Sequence, residues 1–526
     1  MSSFTFEVVS CTTVFIAEEM GVVLRRTAYS PNIRDRLDYS CAILSPNGSL
    51  VAQAEHIPVH LGSMAVGAKN TLRYLEEHGE TLEPGDIVMV NDPYIAGTHL
   101  NDITLIKPIY HSSKLVGFAA NKAHHVDVGG PVPGSLNAFA RELMEEGLVI
   151  PPVKIVRKGR IVEELMRLLE SNVRIPRYFR GDLLAQIASL NVGERRVLEL
   201  VGKYGLESVW EAWEKSLDYV EHYTRARLEN ARKGVFKDRD HMELGDKLLN
   251  IDATVTITSE KVIVDYAGTH PQVEAPLNAV YGVTVAYTTF ALKAVLDPEL
   301  PMNHGFYRVV EIKAPPGTLV NPRPPAPVGA GNLETSQRIV DVVLRALAEA
   351  FPGRVPAASQ GTMNNVVLGG TRNNGERWAY YETIAGGSGA RPRGDGVSGV
   401  HTNMTNTMNT PIEIAEREYP LLFQEYSLRE NSGGQGKHRG GLGVTRALKL
   451  LEGKAILSLI ASRVNTTPWG LSGGQPGKPG EHYIIKKNGE RIRLRSIDRV
   501  ELEEGDTLVI NTPGGGGYGA SEKNKN

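Results

Sequence analysis

The sequence predicts an α+β fold that is rich in strand and divided into several domains. Short apolar runs separated by turn residues predict strands along most of the chain. Helical periodicity dominates one long stretch, residues 180–233. Beyond Glu425, short apolar runs alternate with glycine-rich turns, which is typical of a β-rich C-terminal domain. The length of 526 residues corresponds to about three to four domains of about 150 residues each.

The predicted elements follow the periodicity along the chain. An amphipathic helix is predicted over residues 5–26, and two strands over 39–53 around a Pro-Asn-Gly turn. The other predicted elements are strands at 87–90, 103–109, 115–120, 248–257 and 261–266 and helices near 278–296 and 336–351. We expect an N-terminal domain with a helical insertion at 1–240, a central α+β domain at 241–424, a β-rich domain at 425–520 and a polar tail at 521–526. The charged stretch 233–246 is interpreted as the first boundary.

Composition excludes several classes of protein. The chain carries 58 Lys plus Arg against 60 Asp plus Glu, a balance that argues against a nucleic-acid-binding protein. Its two cysteines, Cys11 and Cys41, supply neither a disulfide framework nor a four-thiolate metal site. The sequence shows no signal-peptide pattern and no run of 18 apolar residues. We therefore expect a cytoplasmic protein that does not span a membrane.

Histidine and aspartate side chains are concentrated between Asp92 and Asp127, and this is the strongest local signal. His99 and Asp102 lie three residues apart, and His124 follows the next two predicted strands. If those strands form a hairpin, their outer ends meet, so the His99 and Asp102 pair would face the His124 and Asp127 group. Mixed imidazole and carboxylate ligands suit Zn, Mn or Fe and leave a position for water or substrate. The alternative is that these polar residues tie turns together by hydrogen bonds.

Further candidates lie beside these residues. Asp92, His125 and Asp127 share the same two loops, and Glu55 belongs to a segment with two histidines, so each is a candidate auxiliary ligand or general base. Arg34 is a candidate clamp for a substrate carbonyl or carboxylate group. The alternative is structural: satisfied imidazoles in buried turns, and an ion-pair network around Arg34.

Three glycine clusters, at 386–390, 433–436 and 514–517, raise the question of a phosphate-binding loop. None matches G-x-x-x-x-G-K-[ST], and none is a G-x-G-x-x-G between a strand and a helix. We interpret these glycines as tight turns in β structure. The segment 386–395 is expected to line the active cavity or a subunit contact rather than to bind ATP.

Motifs along nearly the whole chain carry a family resemblance. They include Asn91-Asp92-Pro93-Tyr94, the segment from Gly97 to Asp102, and His124 to Gly130. Others lie at 26–34, 38–41, 57–64, 381–387, 405–407, 432–436, 439–441, 468–471 and 473–474. With these motifs in order over residues 4–519, the sequence resembles the hydantoinase B family, which includes the B components of N-methylhydantoinases, the C-terminal half of 5-oxoprolinase, and subunits of acetone and acetophenone carboxylases.

The resemblance implies a function in a two-subunit enzyme. A hydantoinase A-type ATPase partner would use ATP and Mg to phosphorylate the carbonyl oxygen of a small cyclic amide, and this chain would open the activated ring. The implied metal ligands are His99, Asp102 and His124, and Glu55, His125 or Asp127 would orient water or move its proton. The resemblance also admits a subunit of a ketone carboxylase. A non-catalytic scaffold subunit is the third interpretation.

Overall fold

The computed structural model describes residues 3–54, 56–60 and 62–521. Glu55 and residues 522–526 of the predicted tail lie outside the described residues. Helices in the described part are α1 Ser3–Thr27, α2 Pro31–Arg34, α3 Ser63–Glu77, α4 Pro93–Ala96, α5 Glu163–Ser171, α6 Pro176–Tyr204, α7 Leu206–Glu229, α8 Tyr281–Leu296, α9 Ser336–Leu347 and α10 Ile412–Glu418. Of these helices, none is both long enough and apolar enough to cross a membrane.

A seven-stranded sheet dominates the N-terminal part, in the order β2-β1-β5-β4-β3-β6-β7. Its strands are β1 Tyr39–Leu44, β2 Leu50–Ala54, β3 Ile87–Val90, β4 Asp102–His111, β5 Lys114–His124, β6 Val153–Arg157 and β7 Arg160–Ile161. Both faces of the sheet are covered. Cys41 and Ile43 of β1 face a core shared with α1 and α6, whereas Ala42 and Leu44 face a smaller core shared with α3.

Strands β4 and β5 form the hairpin that the sequence predicts. They pair antiparallel, and the register places Asp102 directly opposite His124. Apart from the partly exposed hairpin end, the paired residues are buried, because helices lie against both faces of the sheet. The hairpin therefore carries the predicted histidine and aspartate residues to one edge of a rigid sheet.

The helical stretch is confirmed and has two parts. Helices α6 and α7 cover residues 176–229 and are separated at Gly205, which has a φ of 81°. A four-stranded sheet follows, in the order β11-β10-β9-β8. Its strands are β8 Gly234–Leu244, β9 Lys247–Ile257, β10 Val262–Asp265 and β11 Val310–Lys313.

Two further sheets pack face to face in the C-terminal part. One has the order β13-β12-β16-β19 and the other β14-β15-β20-β17-β18. Their strands are β12 Asn365–Thr371, β13 Arg377–Thr383, β14 Leu421–Leu428, β15 Val444–Leu450, β16 Lys454–Ile460, β17 Glu481–Ile485, β18 Arg491–Leu494, β19 Ile497–Glu503 and β20 Thr507–Asn511. Leu368 and Leu457 from the first sheet share a buried core with Leu448 and Leu508 from the second. The β-rich C-terminal region is confirmed, and it also includes strands from residues 365–383.

Both predicted domain boundaries fall within strands. The boundary at 240 lies in β8, where Phe236, Asp240 and Met242 are buried, so the charged stretch 233–246 is a paired strand rather than a linker. The boundary at 424 lies in β14. The division into three domains stays a prediction, and neither of its borders coincides with the end of a strand.

Many of the C-terminal glycines lie where segments touch through their backbones, not in tight turns. A Cβ atom on Gly387 would lie 2.0 Å from the carbonyl oxygen of Gly441, and one on Gly515 would lie 1.9 Å from that of Ser388. Backbone hydrogen bonds join the same segments, from Gly441 to Ser388 and from Gly515 to Gly441, at 2.9 Å each. The interpretation as turns is therefore wrong for these glycines, because the spacing leaves no room for a side chain.

We expect Gly387→Ala to destabilise the protein by about 1–3 kcal/mol or more, because the added methyl group overlaps backbone atoms that cannot rotate away. Gly394→Ala is the matched control, since its Cβ would meet nothing closer than Arg391 at 3.9 Å. Urea unfolding of both variants measures the difference. Equal midpoints for the two variants would contradict this account.

Candidate metal centre

The predicted ligands meet at the outer end of the β4–β5 hairpin. Asp102 begins β4, and His124 ends β5 directly opposite it. His99 returns toward the same point because the Asp102 amide donates a hydrogen bond to the His99 carbonyl oxygen, at 3.1 Å. All three residues are almost completely buried. The hairpin that the spacing predicts therefore does bring these residues together.

His99, Asp102 and His124, called here the triad, form a nearly equilateral triangle of ligand atoms. His99 Nε2 lies 3.1 Å from Asp102 Oδ1 and 3.2 Å from His124 Nδ1. The third side, from His124 Nδ1 to Asp102 Oδ1, is 3.1 Å. Ligands about 2.0–2.1 Å from a tetrahedral metal stand about 3.3–3.4 Å apart. The triangle is thus close to the size that such an ion requires.

The hydrogen bond made by His99 Nδ1 is consistent with a cation between the triad atoms. His99 Nδ1 lies 3.1 Å from the Gly329 carbonyl oxygen, which can only accept a hydrogen bond. In the neutral imidazole, Nδ1 then carries the hydrogen, and Nε2 directs a lone pair at Asp102 and His124. A single proton on His124 cannot satisfy all three edges of the triangle. The donor set therefore fits a divalent ion held by two imidazoles and one carboxylate.

Electrostatics keep the triad carboxylate ionised. Burial would raise the pKa of Asp102, but His99 and hydrogen bonds from His124 and His60 outweigh it and hold that pKa well below its usual range. Burial likewise opposes protonation of His99, yet the adjacent Asp102 raises its pKa. Burial lowers the pKa of His124. A negative charge is thus retained in a closed, low-dielectric place.

A small cavity of about 10 Å³ adjoins the triad, which is room for about one water molecule. Apolar side chains of Ile57, Val59, Leu333 and Met363 form part of its wall. Its other polar lining residues are Asp38, Asn332, Tyr381, Thr383, Thr405 and Thr407. The lining comes from distant parts of the sequence, so the cavity exists only in the folded chain.

A π-helical turn, Gly331–Thr335, supplies one wall of the cavity. Asn332 Nδ2 lies 3.5 Å from Asp102 Oδ2. From the same turn, the buried Glu334 carboxylate accepts hydrogen bonds from the amides of Met363 and Ser462, both at 3.0 Å. Turns of this kind are frequent at functional sites. Here the turn connects the triad to the segments that begin β12 and follow β16.

Several predicted site residues serve the fold instead. Both carboxylate oxygens of Asp127 accept hydrogen bonds from the loop amides and the Arg174 side chain, at 3.0 Å each. His125 points to α6, where its Nε2 lies 2.9 Å from Gln186 Oε1. Asp92 caps α4 by accepting from the Tyr94 amide at 3.0 Å. These contacts do not support the catalytic roles predicted for His125 and Asp127 or the auxiliary role of Asp92.

Arg34 does not line the cavity. Its guanidinium pairs with Asp35 at 2.9 Å, and its side chain is 39% exposed. Two residues later, Arg36 is fully buried beside Tyr381, with the guanidinium carbon 4.5 Å from the ring centroid. The Tyr381 ring stacks on His124 at 4.9 Å. The predicted substrate clamp is therefore on the surface, and Arg36 is the arginine closest in contacts to the triad.

The structure adds Asp38 and Glu146, which the sequence analysis did not single out, and it places His60, one of the two histidines in the segment with Glu55, beside the triad. Asp38 Oδ2 lies 4.0 Å from His124 Nδ1, and His60 Nε2 lies 3.5 Å from Asp102 Oδ2. Glu146 is buried and accepts hydrogen bonds from the Val328 and Gly329 amides at 2.9 and 2.8 Å, which holds the carbonyl that His99 contacts. Asp38 and His60 lie within the motifs at 38–41 and 57–64. Glu146 lies outside all of the motifs that carry the family resemblance.

Comparison with known proteins identifies the family. The model of the hydantoinase B/oxoprolinase family matches residues 2–521. The chain belongs to this family. A protein of Methanocaldococcus jannaschii, described as uncharacterized, is 58% identical over 520 residues, which cover 99% of this chain and 91% of that protein. The 5-oxoprolinase 1 of Arabidopsis thaliana is 39% identical over 96% of this chain, which spans only 41% of that longer protein.

Three further proteins match most of this chain. The B component of a D-/L-hydantoinase of a Pseudomonas species is 32% identical, with 98% of this chain and 89% of that protein covered. The crystal structure of an ATP-dependent caprolactamase from Pseudomonas jessenii superposes with a TM-score of 0.93 at 29% identity, covering 99% of this chain and 91% of that chain. Acetone carboxylase, at 19% identity and a TM-score of 0.91, shares the fold over 98% of this chain and 75% of that one. The α+β prediction is confirmed, and the relatives include ATP-dependent hydrolases of cyclic amides.

The buried Glu146 gives the stability a pH dependence. Burial raises the pKa of Glu146 to about 7 from an ordinary value of 4.5. The folded chain then holds a proton that the unfolded chain releases, so stability falls as the pH rises from about 4.5 to about 7. Relative to Glu146→Gln, the wild type should lose up to about 3 kcal/mol of unfolding free energy across this window.

Urea unfolding at pH 4.5 and pH 8 measures that difference. Glu142→Gln is the control, because Glu142 is exposed on the same loop. A difference between wild type and Glu146→Gln that stays constant with pH would contradict a raised pKa for this carboxyl group.

Proposed function

We propose that this chain is the metal-containing subunit of an ATP-dependent cyclic amide hydrolase of the hydantoinase or 5-oxoprolinase type. The observation that carries the proposal is the triangle of His99, Asp102 and His124 atoms beside a closed cavity. Its membership of the hydantoinase B/oxoprolinase family supports it, because relatives between 32% and 39% identical carry hydantoinase and oxoprolinase names. The substrate is a small lactam or hydantoin whose carbonyl oxygen has been phosphorylated.

The triad would hold Zn, Mn or Fe, since a set of two imidazoles and one carboxylate accepts each of these ions. When bound, such an ion polarises the reacting carbon–oxygen bond and lowers the pKa of water toward about 7. The protein contributes the orientation of the ligands: Gly329 fixes the His99 tautomer, and Tyr381 stacks on His124.

Asp38 is the carboxylate best placed to orient the attacking water and accept its proton. It lines the cavity beside His124, whereas both oxygens of Asp127 are occupied by the loop and Arg174. His60 contacts Asp102 and Ser40, so it stabilises the position of the triad carboxylate. The apolar wall excludes bulk water, which protects a phosphorylated, water-sensitive substrate.

ATP is used on a partner in this proposal. The three glycine clusters pack against other backbone segments, and a Cβ atom at most of these glycines would lie about 2 Å from a neighbouring atom, so their amides do not surround an open space. An ATPase subunit of the hydantoinase A type would phosphorylate the substrate with ATP and Mg, and the two chains would form a hetero-oligomer. A ketone carboxylase subunit is the second candidate, supported by the fold shared with acetone carboxylase. The sequence identity favours the hydrolase.

We expect His99→Ala and Asp102→Asn to lower metal affinity by more than about 100-fold, because each removes a donor from a three-ligand set. His125→Gln should retain the metal, since His125 contacts Gln186 and not the triad. Elemental analysis of chelator-free protein is the measurement. Full metal content in Asp102→Asn, or an active complex with no metal, would contradict the site.

We also expect the purified, metal-loaded chain to leave hydantoin and 5-oxoproline intact without a partner and nucleotide. Ring opening should appear only after the ATPase subunit, ATP and Mg are added, because an amide carbonyl is a weak electrophile at neutral pH. Product formation by chromatography, with and without bicarbonate, separates hydrolysis from carboxylation. Rapid ring opening by the chain alone would rule out the two-subunit reaction.

A further inference from the structure

Arg36 is a buried cation whose hydrogen-bond partners within the described residues are all neutral. One Nη1 hydrogen-bond partner is Asn32 Oδ1 and the other is the Tyr381 carbonyl oxygen, both at 3.2 Å. Nη2 donates to Thr383 Oγ1, also at 3.2 Å. Across residues 3–54, 56–60 and 62–521, no carboxylate lies within ion-pair distance of this guanidinium, and its Nε has no hydrogen-bond partner there. A buried charge without a counter-ion is costly, which suggests that a ligand supplies the anion.

Three threonine hydroxyls connect Arg36 to the cavity beside the triad. Thr383 Oγ1 lies 2.8 Å from Thr407 Oγ1, and Thr407 Oγ1 lies 3.3 Å from Thr405 Oγ1. All three side chains are buried and line the cavity. We call Thr383, Thr405 and Thr407 the threonine row. It is the hydroxyl-bearing wall beside the triad.

The charge of Arg36 orients the protons of the threonine row. A guanidinium can only donate, so the Thr383 oxygen accepts from it and the Thr383 hydroxyl hydrogen is free to donate onward to Thr407. Thr407 can then donate to Thr405 or into the cavity. Successive donors polarise one another in a low-dielectric interior. With this direction of donation, the row can present hydrogen-bond donors to the cavity, which is what a negatively charged oxygen requires.

We propose that the threonine row, with Arg36 behind it, is an oxyanion subsite that receives a phosphoryl or carboxylate oxygen of the ligand at the triad. The inference rests on the proposed function only for the place of the ligand. The threonine row would make the contact by which the site distinguishes a phosphorylated or carboxylate-bearing cyclic amide from a neutral one.

Anion binding at this subsite should depend on the metal, because two carboxylates line the same cavity. Asp38 and Asp102 line the same cavity and repel an anion. A divalent ion at the triad offsets them, so an oxyanion should bind to the metal-loaded chain and only weakly to the metal-free chain. The ligand also needs more room than one water molecule. Thr405 and Thr407 lie on a segment without helix or strand, with Asn406 and Met408 exposed, and we place the additional room on this side of the cavity.

The test is calorimetric titration of the metal-loaded full chain with inorganic phosphate and, separately, with 5-oxoproline. Thr407→Val should weaken binding of at least one of these ligands by about tenfold or more, because it removes a hydrogen bond to a charged group. Thr407→Ser should bind as the wild type does, because serine keeps the hydroxyl group. Thr402→Val is the control, since Thr402 is buried on the same segment but does not line the cavity. Metal content is measured in every variant and should stay constant.

The two ligands separate the two sources of the oxyanion. A loss confined to phosphate assigns the subsite to the phosphoryl group, and a loss confined to 5-oxoproline assigns it to the carboxylate. The proposal is overturned if neither ligand binds the metal-loaded wild type, or if Thr407→Val binds both as the wild type does. If Thr407→Val does not fold, Thr383→Val decides by the same criterion. No partner or ATP is present, so failure of ring opening would leave this result intact.

Discussion

The antiparallel pairing of β4 with β5 places Asp102 opposite His124, and the geometry of the cavity depends on that register. A shift of β5 by one residue would turn His124 to the other face of the sheet, away from Asp102. Helices packed on each face keep the hairpin from sliding, so α1, α3 and α6 contribute to the site without contacting the triad. The ligand triangle is thus set by backbone hydrogen bonds, and the loops only complete it.

Sequence reasoning located the triad because both of its halves lie at the ends of strongly patterned strands. The strand pattern predicts the hairpin, and the hairpin brings His99 and Asp102 to the group of His124 and Asp127. The choice of His124 as the third ligand comes from the family resemblance. The sequence analysis names Arg34 as the substrate clamp, but Arg36 lies only two residues away and the sequence pattern does not distinguish the two arginines. Leu37 adopts a φ of 62°, and this local reversal, which the pattern does not show, lies between Arg36 and the strand that begins at Tyr39.

The pairing of strands that lie far apart in the chain cannot be predicted from local sequence patterns. Strands β12 and β16 pair Asn365 with Ile460 across 95 residues, and no local pattern indicates that partnership. Thr383, Thr405 and Thr407 likewise meet the triad only because those sheets fold back on the N-terminal region. The glycine clusters were visible but misinterpreted, because a glycine that admits another backbone has the same sequence as one that turns the chain.

The π-helical turn Gly331–Thr335 contacts both the N-terminal sheet and the C-terminal strands. Asn332 reaches Asp102, while Glu334 is tied to Met363 and Ser462 at the ends of C-terminal strands. The turn has five residues, and all of them are buried. Asn332 and Glu334 lie two residues apart in this turn, so a substitution that displaces the Glu334 contacts would be expected to alter the contact between Asn332 and the triad carboxylate.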